Sequence, residues 1–214
     1  IISPEGILNH LPFHALFDGS SYLIERYPIS YVPSGTILDL CMSAEGNPGK
    51  TLLMGFGAGD LPYVEKEITN IAKFTDASSI YLNEEATAQR FIQDAPSCRL
   101  IHLSAHAQFR ADKTMLSFLR MVDRNLLLAE LSQLKLKAEL VVLSGCETGK
   151  GLDNGLDLLS LATAFFGAGA RSLLVSFWRV EDELTTEHME TFYEKLKRGD
   201  SKMNALRDAQ LSII

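Results

Sequence analysis

The hydrophobic positions of this chain follow two patterns. Short uninterrupted apolar runs predict parallel strands buried on both faces. Longer segments with apolar residues every three or four positions predict amphipathic helices. The predicted strands from residue 51 onward are 51–56, 80–82, 98–105, 140–143 and 171–177, with a β-arm at 115–122. The predicted helices are 63–74, 86–94, 126–134, 156–166, 183–196 and 203–213. This alternation predicts an α/β fold, a three-layer sandwich with a mainly parallel sheet and flanking helices.

The first 50 residues have a different pattern. Prolines punctuate residues 1–34, and the segments 22–24 and 29–32 resemble short strands. Ser34 is a favourable N-cap for a helix that extends to about Cys41. We therefore expect residues 1–50 to form a strand-rich N-terminal segment, with one helix, that packs on a core of residues 51–214. Together they form one domain, which we expect to belong to a longer polypeptide.

Composition and charge exclude several classes of protein. The 214 residues are 46% hydrophobic and 22% charged, with a net charge of −7. A net negative charge gives no basic surface for nucleic acid or anionic lipid, so we expect neither nucleic-acid nor membrane binding. No apolar run reaches the roughly 18 residues of a transmembrane helix. Three cysteines in a chain of this length fit a reducing compartment, and we expect a cytoplasmic protein.

The candidate chemistry lies where two predicted strands end. The strand at 98–105 is followed by His106, and the strand at 140–143 leads into a glycine-flanked turn with Cys146. Functional groups of open α/β sheets gather at the carboxyl ends of the strands. An imidazole beside a thiol activates a cysteine nucleophile. The two segments therefore predict a His106–Cys146 pair and a cysteine protease.

Three alternatives accompany this prediction. Cys146 could be a buried structural thiol, a role that Cys41 and Cys98 fit better. His102, in the middle of its strand, is better explained as a buried histidine satisfied by a hydrogen bond. A zinc site built from His102, His106 and Cys146 lacks a fourth ligand or a close cysteine pair, so we expect no metal.

Two glycine-containing segments resemble phosphate-binding motifs without meeting their structural requirements. The segment 44–51 precedes a strand, whereas a P-loop follows one. The segment 55–59 has its third glycine at the wrong spacing for a dinucleotide fold. We therefore expect no cofactor.

At the histidine and cysteine segments the sequence resembles the CHAT family of caspase-like and separase-like cysteine peptidases, which often accompany tetratricopeptide repeats. The resemblance covers nearly the whole chain. The segments that carry it are Leu-Pro-Phe at 11–13, 22–26, 31–34, Ile-His-Leu-Ser-Ala-His-Ala at 101–107, Leu-Ser-Gly-Cys-Glu-Thr-Gly at 143–149, 167–171 and 176–182. The resemblance implies a caspase-like sheet.

The family resemblance also implies residue roles. His106 would be the catalytic base and Cys146 the nucleophile of a dyad that cleaves protein substrates. The backbone N–H groups of Ala107 and Cys146 would form the oxyanion hole, although the family usually has glycine at the position of Ala107. Trp178, Asp182 and Glu147 are the candidate substrate-binding residues. Separases carry a similar segment near the pocket for an arginine side chain, and Asp182 could also act as a helix N-cap.

The partners we expect are a protein or peptide substrate and a regulatory region of the full-length chain, such as tetratricopeptide repeats. We expect that region or another partner to activate the peptidase. The alternative function is a caspase-like signalling or scaffold module with little or no proteolysis.

Overall fold

A computed structural model describes residues 1–43, 49–57, 63–108, 113–144, 155–176 and 182–214. Five parallel strands form the central sheet. They are β1 (Lys50–Phe56), β2 (Ala77–Leu82), β3 (Cys98–Ala105), β7 (Leu140–Ser144) and β8 (Leu173–Leu174). Their spatial order is β2-β1-β3-β7-β8. The predicted α/β fold with a mainly parallel sheet is confirmed, although β8 is much shorter than the predicted strand 171–177.

Helices cover both faces of this sheet. On one face lie α4 (Ala88–Asp94), α5 (Leu128–Leu131) and α6 (Gly155–Gly167), with α3 (Val64–Ala72), α7 (Asp182–Lys197) and α8 (Lys202–Leu211) on the other. Alternate residues of each strand point to opposite faces. Ile101 and Leu103 therefore belong to the core under α4 and α6, whereas Leu100 belongs to the core under α3 and α7. The result is the expected three-layer sandwich.

A small antiparallel sheet follows the carboxyl end of β3. It contains β4 (Ala107–Gln108), β5 (Phe118–Arg120) and β6 (Asn125–Leu127) in that order. The predicted β-arm at 115–122 is thus present as β5. The predicted helix at 126–134 is wrong in its first residues, because residues 125–127 pair with β5 before the short helix α5 begins.

The N-terminal segment is not strand-rich, and this part of the prediction is wrong. It contains 3₁₀ helices at Gly6–His10 and Phe13–Ala15, then α1 (Leu23–Arg26) and α2 (Gly35–Ser43). Isolated bridges join Ile2 to Tyr31 and Phe17 to Tyr22. The predicted strand at 22–24 is a helix start because the Glu25 carboxylate accepts a hydrogen bond from the Tyr22 N–H. Such a capping interaction satisfies a donor that a strand would need a neighbour to satisfy.

Two arginines of the core connect the N-terminal segment to the rest of the chain. Arg207 of α8 donates hydrogen bonds to the carbonyls of Ile24 (2.8 Å) and Glu25 (2.6 Å). Arg171 donates to the Cys41 carbonyl at 2.9 Å. These carbonyls lie in the last turns of α1 and α2, where helices leave acceptors unpaired. The contacts agree with an N-terminal segment that packs on the core, and the division at residue 50 stays a prediction.

Two helices of the core end in the same way, and this gives a matched test of packing. After α6, the Gly169 N–H bonds to the Phe166 carbonyl and the Ala170 N–H to the Phe165 carbonyl. After α7, Gly199 and Asp200 repeat these bonds. Gly169 and Gly199 both have positive φ, at 108° and 97°. Only at Gly169 would an added Cβ meet the backbone, 2.3 Å from the Leu136 carbonyl oxygen.

We expect Gly199→Ala to cost about 1 kcal/mol, since the only penalty is backbone strain at positive φ. Gly169→Ala should cost about 3 kcal/mol, because overlap with Leu136 adds to the same strain. Urea denaturation followed by circular dichroism measures both values. Equal losses in the two variants would contradict the close packing of Gly169 against residue 136.

Candidate active site

The candidate site lies at the carboxyl ends of β3 and β7, which are neighbours in the sheet. The two strands pair in parallel from Leu100 opposite Leu140 to Ser104 opposite Ser144, without a shift of register. The last pair is therefore two serines, both buried. Strand ends at the same height in adjacent parallel strands deliver the residues that follow them to one edge of the sheet.

His106 lies at this edge, directly after β3. It is buried, with 7% of its surface exposed. Its carbonyl accepts a 2.8 Å hydrogen bond from the N–H of Arg120 in β5, so the small antiparallel sheet fixes the backbone of the histidine. The sequence predicted the position of His106 at a strand end, and the structure agrees.

Ala107 begins β4 and pairs with Leu119 of β5. Its side chain is buried in the core of the α4–α6 face. Among the described residues, Asn83 is the non-glycine residue with positive φ, so Ala107 has a backbone conformation that any L-residue can adopt. The alanine in place of the family's usual glycine therefore fits here without backbone strain.

The other predicted site residues are not brought together by the described parts of the structure. Cys146, Glu147 and Trp178 lie outside the described residues. Asp182 is the first residue of α7, one position further into the helix than the predicted N-cap, and its side chain is outside the description. Their roles stay predictions.

His102 occupies the middle of β3 and has no exposed surface. Its Nδ1 lies 3.0 Å from the hydroxyl of Tyr193 in α7, and its Nε2 lies 3.4 Å from Oε1 of Glu67 in α3. The prediction of a buried histidine satisfied by a hydrogen bond is confirmed. Nothing in the sequence indicated which groups would be its partners.

Glu67 is a carboxylate that sequence reasoning missed. It is 4% exposed, and its Oε2 accepts a 2.7 Å hydrogen bond from the Ser104 hydroxyl. A signal was present: Glu67 lies on the helical stripe formed by Val64, Ile68 and Ile71, where a charge has no place in an ordinary amphipathic helix. A charged residue on such a stripe indicates a buried partner.

The environment of Glu67 keeps it ionised. Burial by itself would raise the pKa of this carboxyl, because a low-dielectric interior disfavours charge. The His102 imidazole and the hydroxyls of Ser144 and Ser104 together outweigh burial, so the net pKa lies below the usual 4.5. Ser144 contributes without a well-aligned hydrogen bond of its own.

Tyr193 completes the group. Burial, and after it the negative charge of Glu67, raises the pKa of the Tyr193 phenol well above 10.0, so the hydroxyl keeps its proton. We call these five side chains the buried polar cluster: Glu67, His102, Ser104, Ser144 and Tyr193. They connect α3 and α7 to the carboxyl ends of β3 and β7.

The described residues contain no group of three histidine, cysteine, aspartate or glutamate side chains placed to hold a metal ion. Within the same ranges, no helix is long and apolar enough to cross a membrane.

Comparison with known proteins decides the family. The model of the CHAT domain matches residues 1–214, which is the whole sequence. The chain belongs to the CHAT domain family. This CHAT domain is therefore a member of the caspase-like peptidase superfamily. It is also similar to tetratricopeptide repeat protein 28 of Mus musculus, with 25% identity over 266 aligned residues. The match covers 96% of this CHAT domain but only 11% of the mouse protein.

The pKa of Glu67 gives a testable dependence of stability on pH. A carboxyl whose folded-state pKa lies below its unfolded-state value stabilises the fold above the unfolded value, and this stabilisation is lost as the pH falls through the folded value. Glu67→Gln should lower the free energy of unfolding at pH 7 by about 3 kcal/mol, because His102 loses a buried partner. The variant should also lose part of the decline in stability below about pH 5.

Denaturant titrations at a series of pH values measure both effects. Glu65→Gln is the matched control, since Glu65 lies exposed on the same helix, and it should change stability by less than about 0.5 kcal/mol. An unchanged pH profile in Glu67→Gln would mean that Glu67 does not contribute an ionised buried carboxylate.

Proposed function

We propose that this CHAT domain is a cysteine endopeptidase that cleaves protein substrates through a His106–Cys146 dyad. The observation that carries the proposal is the pairing of β3 with β7. Their last registered pair is Ser104 and Ser144, and His106 and Cys146 each come two residues further along the chain. Residues that follow the registered ends of neighbouring parallel strands are delivered to one edge of the sheet. The shared register therefore supports an imidazole and a thiol at the same edge.

The proposed reaction is peptide hydrolysis in two steps. The Cys146 thiolate attacks the scissile carbonyl, and the amine leaves after His106 gives it a proton. Water then hydrolyses the resulting thioester and gives a proton to His106. This step frees the carboxylic acid and restores the Cys146 thiolate beside a protonated His106. The N–H groups of Ala107 and Cys146 would stabilise the oxyanion, a contribution of roughly 3–4 kcal/mol per donor in other proteases.

We assign the substrate pocket to Trp178, Asp182 and Glu147. The support is their place in the chain: the first two follow β8 and the third follows β7, so all lie beyond the carboxyl ends of sheet strands. A carboxylate in such a pocket would pair with a lysine or arginine side chain of the substrate.

The similarity to a mouse protein named for tetratricopeptide repeats supports a further part of the proposal. We infer that this domain, residues 1–50 together with 51–214, works beside such repeats or another regulatory region in a longer cytoplasmic chain. Such a region would engage the domain and activate it.

The second candidate function is a caspase-like signalling or scaffold module with little or no proteolysis. A peptide probe with an acyloxymethyl ketone separates the two functions, because only an activated thiolate displaces its carboxylate leaving group. Selective labelling of Cys146 is expected of the peptidase and not of the scaffold.

We expect Cys146→Ala and His106→Ala each to lower peptide hydrolysis by at least about 10³-fold, since either change removes a member of a unit that acts together. Hydrolysis of a peptide library, followed by mass spectrometry in the presence of EDTA, measures the effect. His102→Gln is the comparison variant, and it should retain some turnover. Undiminished hydrolysis by a folded Cys146→Ala or His106→Ala protein would refute the dyad.

We expect Asp182→Asn to lower kcat/KM for substrates with a basic residue at the cleavage site by about 10²-fold, because the pairing carboxylate is lost. Asparagine keeps the favourable polar group at the helix start, so stability should change by only a few tenths of a kcal/mol. Cleavage assays with matched arginine and norleucine peptides measure the selectivity. Equal loss on both peptides would argue against a pocket role for Asp182.

A further inference from the structure

The polar side chains on one face of the paired strands β3 and β7 are concentrated toward the candidate site. At the amino ends of the pair this face is apolar, with Leu100 opposite Leu140. The next pair on the same face is His102 with Val142, and the last is Ser104 with Ser144. On the opposite face all pairs are apolar, as in Ile101 with Val141. Apolar pairs alone can therefore pack this part of the sheet. The polar side chains of the registered pairs are confined to the part that leads to His106 and Cys146.

We propose that the buried polar cluster is a positioning device, which fixes the carboxyl end of β3 against α3 and α7 and so holds His106 in place for its reaction with Cys146. This proposal rests on the proposed peptidase function. Glu67 is its centre, because its carboxylate contacts two side chains of β3. Oε2 accepts from Ser104, and Oε1 lies 3.4 Å from Nε2 of His102. Ser144 of β7 is the registered partner of Ser104.

Tyr193 orients the imidazole of His102 within the cluster. Its phenol keeps its proton and lies 3.0 Å from Nδ1 of His102. With the phenol as donor, the ring proton of His102 sits on Nε2, the nitrogen that faces Glu67. Tyr193 lies in α7, the helix that begins at Asp182, so the cluster also fixes that helix against β3.

The free-energy cost of burying polar groups distinguishes this cluster from ordinary core packing. Burying a carboxylate and an imidazole is expensive, and apolar residues of the same volume often stabilise a protein as well or better. Directed hydrogen bonds, in contrast, fix geometry more narrowly than apolar contacts do. A reaction that depends on the distance between two side chains gains from such fixing, because a misplacement of about 1 Å can cost 10²-fold in rate.

The test uses mild variants that leave the packing intact. Tyr193→Phe removes one hydroxyl, and Ser104→Ala removes the hydroxyl that Glu67 accepts. Their controls lie in β2, at the far edge of the sheet. Tyr81→Phe removes a hydroxyl that donates to Asp94 at 2.8 Å, and Ser78→Ala removes one that donates to the Thr51 carbonyl at 3.2 Å. Thermal unfolding of all four variants supplies the stability change against which the kinetics are compared.

The readout is labelling of Cys146 in the full-length protein, which contains the activating region, by the acyloxymethyl ketone peptide. The labelling is resolved into the maximal rate kinact and the half-saturating concentration KI. We expect Tyr193→Phe and Ser104→Ala each to lower kinact by about tenfold with KI unchanged, since positioning acts on the bond-forming step. The two β2 variants should leave both constants within twofold of wild type at a comparable loss of melting temperature. A lower kinact in the cluster variants than in the β2 variants, at the same loss of melting temperature, would support the proposal.

Two outcomes would overturn the positioning role, and only the second would also overturn the proposed peptidase function. If wild-type Cys146 is labelled and His106→Ala slows it, but the cluster variants match the β2 controls, the dyad stands and the positioning role is wrong. If wild-type Cys146 is labelled no faster than in His106→Ala, the proposed function fails and the positioning role fails with it.

Discussion

Parallel pairing of β3 with β7 is the constraint on which the rest of the structure depends. The two strands are far apart in the chain, and they pair over five positions without a change of register. A slip of one residue would turn every side chain of β7 to the other face and would bring Val142 and Ser144 into the apolar core under α6. The register thus decides which side chains of β7 enter each of the two cores. It also decides that His106 and Cys146 follow the last registered pair at equal spacing.

The two faces of the paired strands have different tasks. The face under α4, α5 and α6 contains a large apolar cluster that includes Phe91 and Phe165, which have no exposed surface. The face under α3 and α7 contains an apolar part around Leu53 and Ile68 and then the buried polar cluster. Apolar packing gives the sandwich its stability, because it removes surface from water without requiring exact geometry. The cluster adds directional contacts beside the candidate site.

Local pattern predicted the secondary structure of the core well and that of the N-terminal segment poorly. The strand at residues 98–105 was predicted with its observed bounds, because a short uninterrupted apolar run is typical of a strand buried on both faces. The strand predicted at residues 22–24 is instead a helical turn, in which Glu25 caps the chain at Tyr22. A side chain that satisfies its own backbone overrides strand propensity when the neighbouring prolines leave little room for a ladder.

The sequence by itself determined the alternation of strands and helices, the family, and the place of His106 directly after a buried strand. These follow from contiguous residues, whose periodicity and motifs can be read locally. The tertiary structure decided that Ser104 stands opposite Ser144, and that Glu67, His102 and Tyr193 share one buried contact. Those residues come from α3, β3 and α7. They are too far apart along the chain for a local periodic pattern to indicate their contact. Pairing between distant segments is set by how whole elements pack, and only the folded chain contains that information.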